Sequence, residues 1–345
     1  MTTGYLFDPA YLAHKDPHHA HPESPARLAH IRDLLTARDA FEAMVHLPAT
    51  QTTYATLTAV HDPTYVLTIQ RMSERGIPVD GETYVAQGSY EIALLAAGAV
   101  VNAVDAVMAG EVSNAFALVR PPGHHAHASH GEGFCLFNNV AIAARHALDR
   151  HGLERVLIVD FDVHHGNGTQ DIFWEEPRVL YFSTHEWGIY PGSGHWREIG
   201  EGPGQGYTVN VPLPPSVGDE GYTRIFDELL WPLAEHYRPQ FVLVSAGYDG
   251  HWRDPLAMMS LSVTGFGELS RILVAMADEL CDGRLVFSLE GGYDLDALAY
   301  GVLASVRALL GDDRPTEDPL GGPSSGEPAL DALLDNLKGL HWLAT

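Results

Sequence analysis

Four short apolar runs each end in residues able to do chemistry. Ala115–Val119 runs into Arg120-Pro-Pro-Gly-His124-His125, and Arg155–Val159 into Asp160-Phe-Asp162-Val-His164-His165-Gly-Asn167. Phe241–Ser245 runs into Ala-Gly-Tyr-Asp249-Gly, and Leu285–Leu289 into Glu290-Gly291-Gly292-Tyr293. Carboxylates, imidazoles and a phenol thus gather beside glycines, which let backbone approach closely. Ligands of open α/β sheets sit outside the carboxyl ends of the strands. One site assembled from four places in the chain is the expectation.

In a strand, residues i and i+2 share a face, so Asp162 and His164 can point to one metal. Asp249, at another strand end, is available to complete a set of two carboxylates and one imidazole. Three protein ligands with a vacant position describe a catalytic rather than a structural metal site. Zinc suits this donor set best, and Fe(II), Co(II) and Mn(II) accept the same ligand types. Standing alone, one Asp-x-Asp-x-His is often ordinary turn chemistry; the second Asp-bearing strand end raises it above that.

Histidines suit proton transfer at neutral pH, although an isolated His124-His125 pair reads equally as a solvated surface feature. Asp160 and Asn167 are available behind the rings to set their tautomers. Tyr293 follows two glycines and can donate to a developing oxyanion, or be a core tyrosine beside a turn. Together these parts describe metal-assisted hydrolysis: the metal polarises a carbonyl, a histidine takes a proton and the tyrosine holds the oxyanion. No Walker sequence offers a phosphate cradle. Cys135 reads as a structural thiol.

Such a site needs a scaffold. Further strands are expected at Val179–Ser183 and Tyr207–Val211, and helices near 89–109, 138–150, 223–237, 264–281 and 296–310. Ser89 is expected to cap the first helix, and Thr264 to precede one that stops before Gly283. Alternating helices and near-continuous apolar strands mark a parallel sheet covered on both faces. The 345 residues suit one large α/β domain or about two smaller ones. Residues 1–310 are expected to form the catalytic domain. Residues 311–345 read as a Pro/Gly-rich linker and a short helix, Leu330–Leu340, packed back on the body.

Acids number 45 against 20 Lys plus Arg, a net charge of −25. Residues 311–345 hold seven acids and two bases, so −20 remains on the rest of the chain. This field disfavours nucleic acid and anionic membranes and attracts cationic partners. Two cysteines, Cys135 and Cys281, fit a reducing cytosol. The N-terminus lacks a basic region followed by an apolar run, and the apolar stretch Ile92–Met108 is interrupted by Asn102 and Asp105. A soluble, cytoplasmic protein is expected.

The strings Arg120-Pro-Pro-Gly-His-His-Ala126 and Gly133-Phe-Cys-Leu-Phe-Asn-Asn139 resemble the zinc-dependent histone deacetylase superfamily. So do Asp160-Phe-Asp-Val-His-His-Gly-Asn-Gly-Thr-Gln170, Tyr190-Pro-Gly-Ser-Gly194, Leu289-Glu-Gly-Gly-Tyr293 and His21-Pro-Glu-Ser-Pro-Ala-Arg27. The variants are similar to the class II branch, with its bacterial deacetylase-like and acetylpolyamine amidohydrolases. The resemblance spans about residues 4–310 and implies the arginase–deacetylase fold, a three-layer α/β/α sandwich around a mostly parallel sheet of about eight strands.

It further implies Asp162, His164 and Asp249 as ligands of one catalytic Zn2+, and His125 as general base with His124 as its partner. Asp160 and Asn167 would stand behind the pair, and Tyr293 would bind the substrate carbonyl. Phe134 and Tyr190 would wall a narrow channel with Leu256 at its rim, together with Gly133, Gly291 and Gly292. Arg27 matches an arginine of an internal acetate pocket. A structural K+ would lie among Asp160, Asp162, His164, Ser183 and Thr184, and a second monovalent ion at the backbone of Phe173, Glu176, Val179 and Tyr207.

Asn167 stands where the class I branch has Asp, which weakens the charge behind His125. Leu256 lies where a polyamine-selective relative carries a Glu gatekeeper. The leading reading is a deacetylase of N-ε-acetyl-lysine; the alternative is an acetylpolyamine or other small-amide amidohydrolase, with selectivity in the loop around His14–His21. The cluster His14, His18 and His19 also reads as a solvated loop. A non-catalytic acyl-lysine-binding module would need a broken site position, and none is broken. An arginase-like dinuclear manganese enzyme would need a further ligand cluster. The sequence leaves oligomeric state open.

Overall fold

A computed structural model describes residues 2–323 and 326–341. In chain order the strands are β1 Thr3–Leu6, β2 Val45–His46, β3 Asn114–Ala117, β4 Val156–Asp160, β5 Val179–Glu186, β6 Thr208–Leu213, β7 Phe241–Ala246 and β8 Leu285–Leu289. The helices begin with α1 Pro25–Ala37, α2 Tyr54–Thr58, α3 Pro63–Arg75, α4 Ser89–Met108, α5 Asn139–His151 and α6 Asn167–Ile172. They continue with α7 Asp219–Ile225, α8 Trp231–Tyr237, α9 Val263–Cys281, α10 Leu295–Leu309 and α11 Asp331–Leu340.

All eight strands among the described residues are parallel, in the order β2-β1-β3-β8-β7-β4-β5-β6. Two helical layers cover the sheet: α4 packs on α5, and α1, α10 and α9 pack in succession. Strands β4, β7 and β8 are buried at every residue, as the continuous apolar runs require. The fold is the expected α/β/α sandwich around a parallel sheet.

The four strands that end in polar clusters, β3, β8, β7 and β4, are consecutive neighbours at the centre of this sheet. Register pairs Ala117 with Ser288, Ser288 with Ser245, and Ser245 with Asp160. The carboxyl ends therefore lie in one transverse row, and every polar cluster leaves the sheet on the same edge.

Several elements differ from the expectation. Gly88, at φ 84°, occupies the cap of α4; Ser89 is its first residue, and its hydroxyl accepts from Ala86 N at 2.9 Å. Ser262, not Thr264, caps α9 by accepting from Gly265 N at 3.1 Å. The helix read at 223–237 starts at Asp219 and passes through a π-helical turn, Phe226–Leu230, just before Pro232. Proline has no N–H to give to the i−4 carbonyl, which accounts for a loosened pattern there. The helix α4 has the length and apolarity to cross a membrane, but most of that stretch is buried in this core.

Residues 311–323 contain no helix or strand, yet they are tied to the body. Glu317 pairs with Arg38 and Arg307, and Gly321 O accepts from Trp252 Nε1 at 2.8 Å. Leu334 and Leu337 of α11 are buried in the main core.

Candidate active site

The donors meet just beyond β4. Strand β4 ends at Asp160, so Asp162 and His164 converge through a turn rather than through strand alternation. Asp162 Oδ1 accepts from His164 N at 2.9 Å and thereby folds the turn. His164 Nδ1 then lies 3.1 Å from Asp162 Oδ1 and 3.2 Å from Asp249 Oδ2. The remaining carboxylate oxygens accept backbone amides, Asp162 Oδ2 from Gly291 N at 2.8 Å and Asp249 Oδ1 from Val163 N at 2.9 Å. A Cβ on Gly291 or Gly247 would run into these carboxylates, so both positions require glycine.

All three side chains are buried, and one donor atom of each lies within 4.8 Å of the others. Burial and then the charge of Asp162 push the Asp249 carboxyl up. Two buried carboxylates at this distance call for a cation, and two oxygens with one imidazole nitrogen suit zinc. The residues therefore fit the implied metal.

The histidine pair stands beside them, ring centroids 4.0 Å apart. His124 Nδ1 lies 3.1 Å from Asp160 Oδ2, which also accepts from Tyr181 Oη at 3.1 Å. His125 Nδ1 lies 2.8 Å from Asn167 Oδ1. The two environments differ in sign. Burial opposes a charge on His124, but Asp162 and Asp160 outweigh it and hold its pKa at about 10. Burial, then His124 and His164, push His125 well below its ordinary range.

A cavity of about 530 Å³ leads down to these groups. Phe134, Tyr190, Leu256, Gly133 and Gly291 line it, together with His124, His125, His164 and Tyr293. Gly133, at φ 54°, packs so closely on the His125 ring that a Cβ there would overlap it. Gly292 does not line the cavity: it sits behind, against Tyr248 and Leu298, and its carbonyl accepts from Arg27 Nε at 2.7 Å. In the N-terminal loop, His14 is buried beside Ser89 and Glu23, whereas His18 and His19 are exposed. Asp16, His19 and His21 reach the mouth of the cavity.

The oxygen groups expected around potassium lie behind the histidine pair. Thr184 Oγ1 is 3.5 Å from the Asp160 carbonyl, and Ser183 Oγ lies 2.9 Å from His185 Nδ1. Near the start of β5, the carbonyls of Phe173, Glu176 and Tyr207 accept from the amides of Glu176, Val179 and Tyr181.

Sequence reasoning assigned no role to three carboxylates, of which it had named only Glu290, at a strand end. Glu290 accepts from Gly123 N at 2.6 Å and His124 N at 3.2 Å, so the end of β8 holds the loop leaving β3. Burial pushes its carboxyl up to about 7. Asp254 accepts from Tyr293 N at 2.7 Å, and Glu132 accepts from Asn167 Nδ2 at 2.6 Å. Each touches backbone or a side chain distant in sequence, so no local spacing reveals it. Two further His–acid groups, Asp105/His146/His151 and His127/His130/Glu132, lie toward the surface. In the first, both imidazoles lie 2.7 Å from one Asp105 oxygen, so its polar atoms are satisfied as an ion cluster.

Residues 21–309 match the histone deacetylase domain. A probable deacetylase of Archaeoglobus fulgidus is 44% identical over 316 residues, 91% of this chain and 88% of that protein. The polyamine deacetylase HDAC10 of Homo sapiens is 41% identical over 317 residues, 87% of this chain but 46% of that protein. A histone deacetylase-like amidohydrolase of Pseudomonas aeruginosa is 38% identical, with 92% and 82% covered. The crystal structure of the HDA15 HD domain shares the fold at a TM-score of 0.91 and 34% identity, over 99% of this chain and 95% of that one. With a domain match over most of its length and relatives this similar, the chain is a hydrolase that belongs to the histone deacetylase family.

Proposed function

We propose that the protein is a zinc-dependent deacetylase that hydrolyses the amide of N-ε-acetyl-lysine to acetate and a free amine. One observation carries the reading: the donors of Asp162, His164 and Asp249 meet beside His124, His125 and Tyr293 at the inner end of a cavity walled by Phe134 and Tyr190. When bound there, zinc supplies a Lewis acid for the substrate carbonyl and lowers the pKa of the attacking water. Phe134 and Tyr190 line the cavity, and a linear alkyl stem would pass between these two aromatic rings. His125, neutral through burial and its neighbours, takes the proton from the attacking water. His124, held by Asp160, stands beside it to stabilise the charge, and His125 gives the proton it took to the leaving amine. Tyr293 donates its phenolic hydrogen to the oxygen that becomes negative.

Asp160, Asp162, His164, Ser183 and Thr184 would hold a structural potassium ion through carbonyl and side-chain oxygens. Residues 1–310 would constitute the catalytic domain, acting in the cytoplasm. Arg27, buried beneath Tyr293, would line the internal pocket that receives acetate.

A polyamine substrate is the second reading, supported by Asp16 and Glu82 at the cavity mouth, where a second cationic centre would rest. The test is kcat/KM on an acetyl-lysine peptide, acetylputrescine and acetylspermidine with zinc loaded. A large peptide advantage supports the lysine reading. A large polyamine advantage replaces it with the second, and no turnover on any of them overturns both.

A further inference from the structure

Behind His125 stands an amide rather than a carboxylate, and an amide has two unlike ends. Asn167 Oδ1 faces His125 Nδ1 at 2.8 Å, while Asn167 Nδ2 donates to Glu132 Oε1 at 2.6 Å. If the amide turned over, an N–H would face the imidazole. Nδ1 would then have to accept, the ring proton would move to Nε2, and Nε2 could no longer take a proton. An aspartate in this place would offer two equivalent oxygens and need no such control.

We propose that Glu132 is a positioning residue for proton transfer: it accepts the Asn167 amide, turns Oδ1 toward His125 and keeps the Nε2 lone pair free. The O–H bond of the attacking water breaks, and its proton bonds to that lone pair. The proposal rests on the assignment of His125 as the base.

Three features hold Glu132 in this role. A carboxylate only accepts, so its bond to Asn167 can form in one amide orientation alone. His127 and His130 stack at 4.1 Å and place Nε2 atoms 3.7 and 3.9 Å from the two Glu132 oxygens; His127 is anchored in turn 2.7 Å from Asp171. The Glu132 carbonyl accepts from Cys135 N at 2.9 Å, closing the turn that carries Gly133 and Phe134 to the channel. After burial, the charge of Glu132 is also the leading influence that raises the Tyr190 phenol. One carboxylate thus borders both the channel wall and the amide behind the base.

The test measures kcat and KM for the zinc-loaded protein and for Glu132→Ala, Glu132→Gln, Asn167→Asp and the double variant Asn167→Asp/Glu132→Ala. Long-range 1H–15N spectra of the His125 imidazole, assigned by its loss in His125→Ala, report the tautomer. Glu132→Ala should lower kcat by roughly 10- to 100-fold, the usual effect of removing such a supporting partner, with KM almost unchanged. Glu132→Gln, which retains an acceptor oxygen, should restore most of it. Glu132→Ala should lose nothing in the Asn167→Asp background, where no amide needs orienting and two facing carboxylates are relieved. The His125 signal should change from Nδ1–H to a mixture in Glu132→Ala alone. An unchanged kcat and tautomer, or an equal loss in both backgrounds, would overturn the proposal. If the native protein hydrolyses no acetylated amine, the functional reading fails, while the tautomer still decides the role of Glu132.

Discussion

The Arg27 guanidinium carbon stands 5.1 Å from the centroid of the Tyr293 ring, and its Nε donates at 2.7 Å to the carbonyl of the preceding residue, Gly292. One terminal nitrogen donates to the Glu290 carbonyl at 2.5 Å and the other to Glu23 at 3.2 Å. A buried arginine of α1 therefore braces the loop leaving β8 from beneath the phenol. Glu23 is shared with Arg120, whose Nε and second terminal nitrogen approach it at 2.5 and 2.7 Å.

Arg27→Ala should destabilise the fold by about 3–5 kcal/mol, because it breaks a buried charged network and leaves loop carbonyls without donors. Urea unfolding measures this. Arg27→Lys keeps the charge but loses the planar fork, so it should fold and still lower kcat as the Tyr293 loop loosens. A folded Arg27→Lys protein with native kcat would detach Arg27 from the action of Tyr293.

Tyr293→Phe removes one hydroxyl and leaves Asp254 bound to the Tyr293 amide. Fold and metal content should persist while kcat falls by roughly 10²–10³-fold, the range for losing one oxyanion donor. Metal analysis and steady-state kinetics on the same preparation check both halves. Near-native turnover would remove the phenol from the reaction.

Much of this arrangement is visible in sequence because parallel strands buried on both faces must be apolar without interruption. That rule marks β3, β4, β7 and β8 and so the row of strand ends. It says nothing of β1 and β2, which have four and two residues and no pattern to detect. Helix α1 is hidden for another reason: the face it buries includes Arg27 beside Leu28 and Ile31, which breaks the apolar stripe. At the site, Asp162 and His164 meet through a hydrogen-bonded turn, not through strand periodicity. Glu290 and Asp254 work by accepting amides from loops 167 and 39 residues away in sequence, which only the folded chain displays.

Asp249→Ala removes one of three converging donors and an acceptor of the Val163 amide. Dialysed protein should lose its zinc, read by elemental analysis, while Asn167→Asp should retain it. Unchanged zinc content in Asp249→Ala would exclude Asp249 from the ligand set.

A hydroxamate on a linear alkyl stem should inhibit competitively, since the cavity admits such a stem between Phe134 and Tyr190 and the donors lie at its end. Inhibition should weaken on Gly133→Ala, whose added methyl overlaps the His125 ring. Failure to inhibit at millimolar concentration would count against an accessible metal.

The loop that carries the histidine pair is clamped by a third histidine in one defined tautomer. His61 Nδ1 lies 2.9 Å from the His127 carbonyl and must donate to it, while Nε2 accepts from Asn138 N at 2.9 Å. A proton on Nε2 would face an N–H, and burial lowers the pKa of His61 to about 4. In the unfolded chain the ring titrates near 6.5. The folded state therefore binds fewer protons than the unfolded state between those values, so stability falls as pH drops from about 6.5 to about 4 and no further below it. The contribution of this one ring is at most roughly 3 kcal/mol. His61→Gln keeps a donor and an acceptor without titrating, so urea unfolding across pH 7 to 4 should show a slope shallower by about one proton than that of the native chain. Parallel slopes would mean that His61 protonates without opening the clamp.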